Sequence, residues 1–134
     1  MSHQKFKDCI DACSECAVEC SHCESECLNE QDVKMLARCI KLDHDCAAIC
    51  LFAMQAMASG SEFTEKICKL CAEICTACAE ECEKHAHMEH CKNCAESCRK
   101  CAVECSNMSK LSTVKWVKCE YFNLLNKVSF RGII

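Results

Sequence analysis

The sequence predicts an all-α protein, an antiparallel four-helix bundle with a core lined by cysteine. Nineteen of its twenty cysteines recur at steps that keep side chains on one helix face. There is no proline and there are only 2 glycines, so little interrupts a helix interior. Short polar breaks divide the first 110 residues into four segments, each long enough for one bundle helix.

The first helix is expected from about Gln4 to Leu28. Its stripe is Cys9, Cys13, Cys16, Cys20, Cys23 and Cys27, alternating steps of four and three. The break Asn29-Glu30-Gln31-Asp32 follows, with Asn29 or Asp32 available as a cap. The second helix, about Val33 to Ala58, carries Cys39, Cys46 and Cys50, with Asp43 where the stripe calls for another thiol. Ser59-Gly60-Ser61 ends it, and Ser59 with Glu62 has capping-box spacing. The third helix, about Glu62 to Lys84, holds Cys68, Cys71, Cys75, Cys78 and Cys82. A connection containing His85, His87 and His90 leads to the fourth, about Glu89 to Met108, with Cys91, Cys94, Cys98, Cys101 and Cys105.

Residues 1–110 thus form one domain, and 111–134 form a tail of different character. The tail is rich in β-branched and aromatic residues and carries the one off-pattern cysteine, Cys119. Small residues flank the stripes (Ala12, Ala17, Ala47, Ala72, Ala79, Ala95, Ala102) and let helices approach closely. Glu15, Glu19, Glu26, Arg38, Lys41, Glu73, Glu80, Glu96 and Lys100 fall between the stripes, as a solvated surface would.

A net charge of -4 argues against nucleic acid as a partner. The apolar runs are far shorter than the ~18 residues of a membrane span, so no membrane partner is expected. The segment MSHQKFKDC does not read as a signal peptide, so a cytoplasmic location is expected. That compartment keeps thiols reduced, which favours metal ligands over crosslinks.

Cysteines at i and i+4 on a helix have Cα atoms ~6 Å apart and can bring their sulfurs to ~4–5 Å. Soft thiolates at that separation suit Cu(I). Pairs such as Cys16/Cys20 and Cys94/Cys98 could each hold one ion, and the intervening Cys-x-x-Cys steps and facing helices let a sulfur bridge two. Capacity then reaches on the order of 15–20 ions per chain. Two readings of Asp43 stand: a partly exposed carboxylate bonded to a neighbour, or a ligand or acceptor for a thiol or His44.

Antiparallel order gathers Phe6, Met54, Met57 and Met108 at one end as an apolar plug. The other end gathers Cys27, Cys39, Met35, His85, His87 and His90. His85 lies three residues after Cys82 and His87 four before Cys91, in register with the stripes. Imidazole also binds copper, so this end reads as a mouth for ions. His22 and His3 read as exposed.

Four other readings fit less well. A disulfide scaffold is loop-rich, and bridges along one helix face strain the bond. Structural zinc takes four ligands from turns and knuckles, fewer than a stripe of five or six supplies. Ferredoxin-type iron–sulfur clusters use loop cysteines, often followed by proline. Redox thiol pairs come singly in a dedicated fold, and nothing here shapes a substrate pocket, so no enzyme activity is expected. Zinc or iron–sulfur binding, with a structural or electron-transfer role, remains the alternative to copper.

The segments CIKLDHDCAAIC at 39–50, EKICKLCAEICTACAEEC at 65–82 and KHAHMEHCKNCAESCRKCAVEC at 84–105 resemble the cytosolic members of the bacterial copper storage protein family. The resemblance spans about residues 5–109. It implies a homotetramer of four-helix bundles, with many Cu(I) ions held inside each by thiolates and copper entering at the histidine-bearing end. Asp43 matches an Asp in the family's LD-x-x-C segment, so the resemblance favours it as a ligand. A copper chaperone is the candidate exchange partner. The tail lies outside the resemblance, and Cys119 inherits no role from it.

Overall fold

In a computed structural model of the chain, residues 2–117 are described, with side chains over 4–109. A short α1 (Ser2–Lys5) precedes four long helices: α2 (Lys7–Leu28), α3 (Ala37–Ser59), α4 (Thr64–Glu83) and α5 (Glu89–Val117). A 3-10 turn, Val33–Leu36, leads into α3. No strand occurs among the described residues.

Each long helix packs on two others: α2 on α3 and α5, and α4 on α3 and α5. Neither diagonal pair, α2 with α4 or α3 with α5, makes a close backbone approach, so the four form a square around one axis. Sulfur contacts give the direction. Cys9 near the start of α2 meets Cys105 far along α5, while Cys27 at the end of α2 meets Cys91 at the start of α5. Cys39 meets Cys82 at one end of the α3–α4 pair, and Cys50 meets Cys71 towards the other. The bundle is therefore antiparallel, as expected.

The axis is filled by sulfur. All nineteen stripe cysteines are buried, with Ala12, Ala17, Ala79, Ala95 and Ala102 buried beside them. Met57 is buried, and Phe6, Met54 and Met108 are partly buried against the core at the end away from the histidine loop, where the apolar plug was expected.

Four local expectations are corrected. The first helix breaks at Phe6, which leaves helical geometry at φ -102°, ψ 12°. The second begins as the 3-10 turn, which puts Leu36 in the core and leaves Met35 54% exposed, so Met35 does not line the mouth. The Ser59–Glu62 capping box does not form. Gly60 adopts the left-handed conformation (φ 69°, ψ 40°) that costs glycine nothing. The Ser61 N–H then donates to Ala56 O at 2.9 Å and the Gly60 N–H to Met57 O, the Schellman arrangement. The next helix starts at Thr64, whose hydroxyl donates to Ser61 O at 2.6 Å. Finally, α5 continues past Met108 to Val117. Cys119 lies outside the described residues, as do the side chains of the tail.

Candidate metal centre

The helix repeat alone put neighbouring thiols of one helix ~4–5 Å apart. The fold brings them closer. Cys16–Cys20, Cys23–Cys27 and Cys71–Cys75 each stand at 3.8 Å, and Cys94–Cys98 and Cys101–Cys105 at 3.9 Å. Contacts between helices are as short. Cys16 reaches Cys46 on α3 at 3.8 Å and Cys98 on α5 at 3.7 Å. Cys46 reaches Cys75 on α4 at 3.5 Å, and Cys50 reaches Cys101 on α5 at 3.7 Å. Cys13 joins Cys105 at 3.5 Å and Cys101 at 3.6 Å, and Cys9 joins Cys105 at 3.5 Å. Cys68 lies beside Cys9 and Cys105. The sulfurs form a network across all four helices, rather than pairs on separate helices. None of the nineteen is in a disulfide.

Several groups of four thiols could each surround one ion, among them Cys13, Cys71, Cys101 and Cys105, and Cys20, Cys78, Cys94 and Cys98. Cys16, Cys46 and Cys98 belong to more than one contact set, so a sulfur there can bridge two ions. Burial, then the charge of Cys39, pushes the Cys27 thiol up to about 12. A thiol held that high keeps its proton until a metal ion displaces it.

Asp43 is fully buried. The first reading of it, a partly exposed carboxylate, is thereby corrected: the α3 stripe points its side chain into the sulfur axis. Its Oδ1 accepts from Cys78 at 3.2 Å, Cys94 at 3.3 Å and Cys82 at 3.6 Å, and its Oδ2 faces Cys39 at 3.9 Å. It does not serve His44, which is exposed and pairs with Glu24 at 3.2 Å. Burial above all pushes its carboxyl up to about 11. The metal-free protein therefore holds Asp43 neutral, surrounded by thiols on α3, α4 and α5.

The three loop histidines separate. His90 opens α5 with its Nδ1 3.5 Å from Cys23 and Cys91 and 3.9 Å from Cys27. His85 is buried, but its Nε2 meets Glu81 at 3.4 Å rather than a thiol. His87 is exposed, its ring edge-on to that of His85 at 6.5 Å. The residues in stripe register, His85 and His87, are thus not the one placed among the sulfurs.

Two carboxylates at this end were not singled out from the sequence. Glu81 receives Arg38 at 3.0 Å, Lys84 at 3.1 Å and His85. Burial raises its carboxyl, but bonds from Lys84, Arg38 and His85 outweigh that and hold it below the usual carboxylate value. Glu30 accepts from His90 Nε2 at 3.3 Å. Glu81 directly precedes a stripe cysteine and Glu30 sits in a turn, and neither position marks a buried partner in the sequence.

The family model described as copper storage protein matches residues 2–110. The chain belongs to the copper storage protein family. Among solved structures of the family, the Cu(I)-bound copper storage protein BsCsp3 is 43% identical, with TM-score 0.74 over 81% of this chain and 99% of that one. The apo form of copper storage protein 3 from Bacillus subtilis is 47% identical, with TM-score 0.73 over 77% of this chain and 97% of that one. A cytosolic copper storage protein from Streptomyces lividans carrying five coppers is 36% identical, with TM-score 0.77 over 81% of this chain and 95% of that one. The four-helix bundle and sulfur-lined axis are features of a copper storage protein. No helix among the described residues is long and apolar enough to cross a membrane.

Proposed function

We propose that this copper storage protein holds and buffers many Cu(I) ions on the thiolates of its bundle axis, in the cytoplasm. One observation carries the reading: nineteen buried, unbridged cysteines, most of whose sulfurs touch one another at 3.5–3.9 Å in a network across four helices. Soft thiolates select Cu(I), and shared sulfurs allow clusters rather than isolated ions. Each ion bound expels thiol protons, so loading is coupled to proton release and to stability.

The cargo ligands are the stripe cysteines, with Asp43 among those of the mouth half. Asp43 sits where three helices bring sulfur to one carboxylate oxygen, which suits it to take part as thiols are replaced by thiolates. Copper enters and leaves at the end that carries His85, His87 and His90, while the Met57 end is packed shut. Residues 1–110 act as the storage domain, with 111–134 as an appended tail. A copper chaperone is the natural donor, because free Cu(I) is too reactive to be handed over in solution. Storage rather than catalysis is the role that a saturated thiol axis supports. Large apolar side chains exposed on the bundle, including Val18, Leu51, Phe52, Phe63, Leu70 and Val103, support assembly into a homotetramer.

Anaerobic titration of reduced full-length protein with Cu(I), against a competing high-affinity chelator, tests the reading. Saturation is expected on the order of 15–20 ions per chain, from sulfurs that bridge two ions each. Saturation at about four ions or fewer would sink it and favour separate tetrahedral sites. Light scattering on the same sample checks the assembly, and a monomer mass would remove the tetramer.

A further inference from the structure

We infer that Glu81 is a positioning residue for copper transfer: its carboxylate keeps the hydrogen of His85 on Nε2 and so leaves Nδ1 of that ring bare for passing ions. The inference rests on the storage reading and on entry at the histidine-bearing end, and it adds a residue outside the ligand set.

Glu81 stands on the last turn of α4, four residues before His85. The backbone keeps turning past the helix end: the Lys84 N–H donates to Glu81 O at 3.2 Å and the His85 N–H to Cys82 O at 2.9 Å. Residues four apart on such a path share a face, so carboxylate and imidazole meet, and both are buried. A buried carboxylate is costly without partners. Glu81 has three. Its Oε1 accepts from Arg38 Nη1, on the first turn of α3, at 3.0 Å and from Lys84 Nζ at 3.1 Å. Its Oε2 faces His85 Nε2 at 3.4 Å.

This division of the two oxygens decides the tautomer. Guanidinium and ammonium groups are donors only. They occupy Oε1 and hold the carboxylate as an anion, and an anionic Oε2 only accepts. Nε2 must therefore carry the hydrogen, and the other nitrogen of a neutral imidazole then offers its lone pair. Among the described residues the side-chain bond of this ring is made through Nε2, and no buried side-chain nitrogen lacks a partner. Nδ1 is therefore on the ring edge that water reaches, within a side chain 9% exposed.

A bare imidazole nitrogen at that edge gives incoming Cu(I) an exchangeable ligand ahead of the thiols. The carboxylate behind it fixes the ring and raises its basicity. When Nδ1 takes a cation, Nε2–H becomes a stronger donor, and the 3.4 Å contact should shorten as charge-assisted bonds do. Arg38 and Lys84 keep the carboxylate from taking that hydrogen outright. The exposed His87 ring, edge-on at 6.5 Å, is the next imidazole outward.

Glu81→Gln tests this because the three donors around the side chain remain. Arg38 and Lys84 can bond only the amide oxygen, which turns the amide NH2 towards His85. Two donors then face each other unless the imidazole hydrogen moves to Nδ1. Long-range proton–nitrogen correlation NMR of the reduced apo full chain, at mildly alkaline pH, reads the tautomer without copper. The His85 signals are assigned by their loss in His85→Phe. Hydrogen on Nε2 is expected in the unmodified chain and on Nδ1 in Glu81→Gln. Anaerobic stopped-flow loading from a Cu(I)–chelator complex should slow about 10-fold in Glu81→Gln, with capacity unchanged. In a His85→Phe background, Glu81→Gln should slow loading no further, because no ring nitrogen remains to be positioned. Circular dichroism checks that the variants remain helical. Hydrogen on Nδ1 in the unmodified chain would overturn the role without any variant. So would an unaltered tautomer in Glu81→Gln, an inverted tautomer with unaltered loading, or equal slowing in the His85→Phe background. Capacity judges the storage reading and the tautomer judges this one, so the two failures are distinguishable.

Discussion

The two halves of the sulfur column come from one repeat, yet they are held together differently. The closed half is thiols, apolar side chains and two hydroxyls: Met57, Ile67, Thr64 and Ser109 are buried, and Phe6, Met54 and Met108 pack against the core. The mouth half contains Asp43, Glu81 and His85 as buried polar groups, and His90 nearly so. Each has hydrogen-bond partners, and no buried side-chain polar atom among the described residues lacks one. Packing does not depend on protonation or on metal. Hydrogen bonds to a neutral carboxyl and an imidazole depend on both. The closed end should therefore behave as a fixed base, and the mouth should respond to pH and to cargo.

The largest expected effect breaks the base. Met57 is fully buried. Met57→Ala removes its methylene and thioether contacts and leaves a cavity, costing about 2–5 kcal/mol of apo stability. The rate of copper loading should not change, because the mouth is untouched. Denaturant unfolding of the reduced apo protein and stopped-flow loading measure the two quantities. A loading rate that fell with stability would show that the ends are not separable.

A comparable effect belongs to Asp43 and sharpens the contrast in pH. Its folded carboxyl is pushed up to about 11, from 3.8 when unperturbed. Below the unperturbed value both folded and unfolded chains carry the proton, and stability is complete. Above it the unfolded chain gains by ionising while the folded chain does not. Stability is therefore lost as pH rises towards the folded value. The loss is at most about 1.4 kcal/mol per pH unit. Between pH 5 and 8 Asp43 contributes this falling slope. Asp43→Asn should flatten the slope while keeping an acceptor for Cys78 and Cys94. Thermal melts of both apo proteins across that range decide it; equal slopes would assign the pH response elsewhere.

The sequence shows the stripes plainly because cysteine marks the buried face as no mixture of Leu and Ile could. Antiparallel order followed from short polar breaks, and the closed end from the positions of Phe6 and three methionines. The helix boundaries were less visible. Val33–Leu36 contains no residue that excludes an α-helix, and its 3-10 form depends on seating Leu36 in the core. Nothing in Ser109–Val117 stops a helix either: β-branched residues cost only tenths of a kcal/mol each, and α5 runs on. Stripe register pointed to His85 and His87. The expected start of α5 at Glu89 is met, but register did not show that the His90 ring on its first turn faces Cys23, Cys27 and Cys91. The partners of these groups, Glu30 for His90 and Arg38 for Glu81, come from other helices or turns. Only the packed bundle brings them together.

The smallest effect tests that cross-helix polar contact. Glu81 ties the start of α3 to the end of α4 through Arg38, and orients His85 from the same helix. Arg38 and Lys84 are mostly exposed and regain water when Glu81 is removed, so their ion pairs contribute little net stability. His85 is buried and would lose its acceptor. Glu81→Ala should therefore cost about 1–3 kcal/mol, towards the lower figure. The loss should be local. Amide hydrogen exchange is expected to quicken over residues 82–91, which run from the end of α4 to the start of α5. It should stay unchanged over residues 53–67, where the Gly60 turn and Met57 close the other end. Equal quickening at both ends would mean that the bundle opens as one unit, and the division between a fixed base and a responsive mouth would fail.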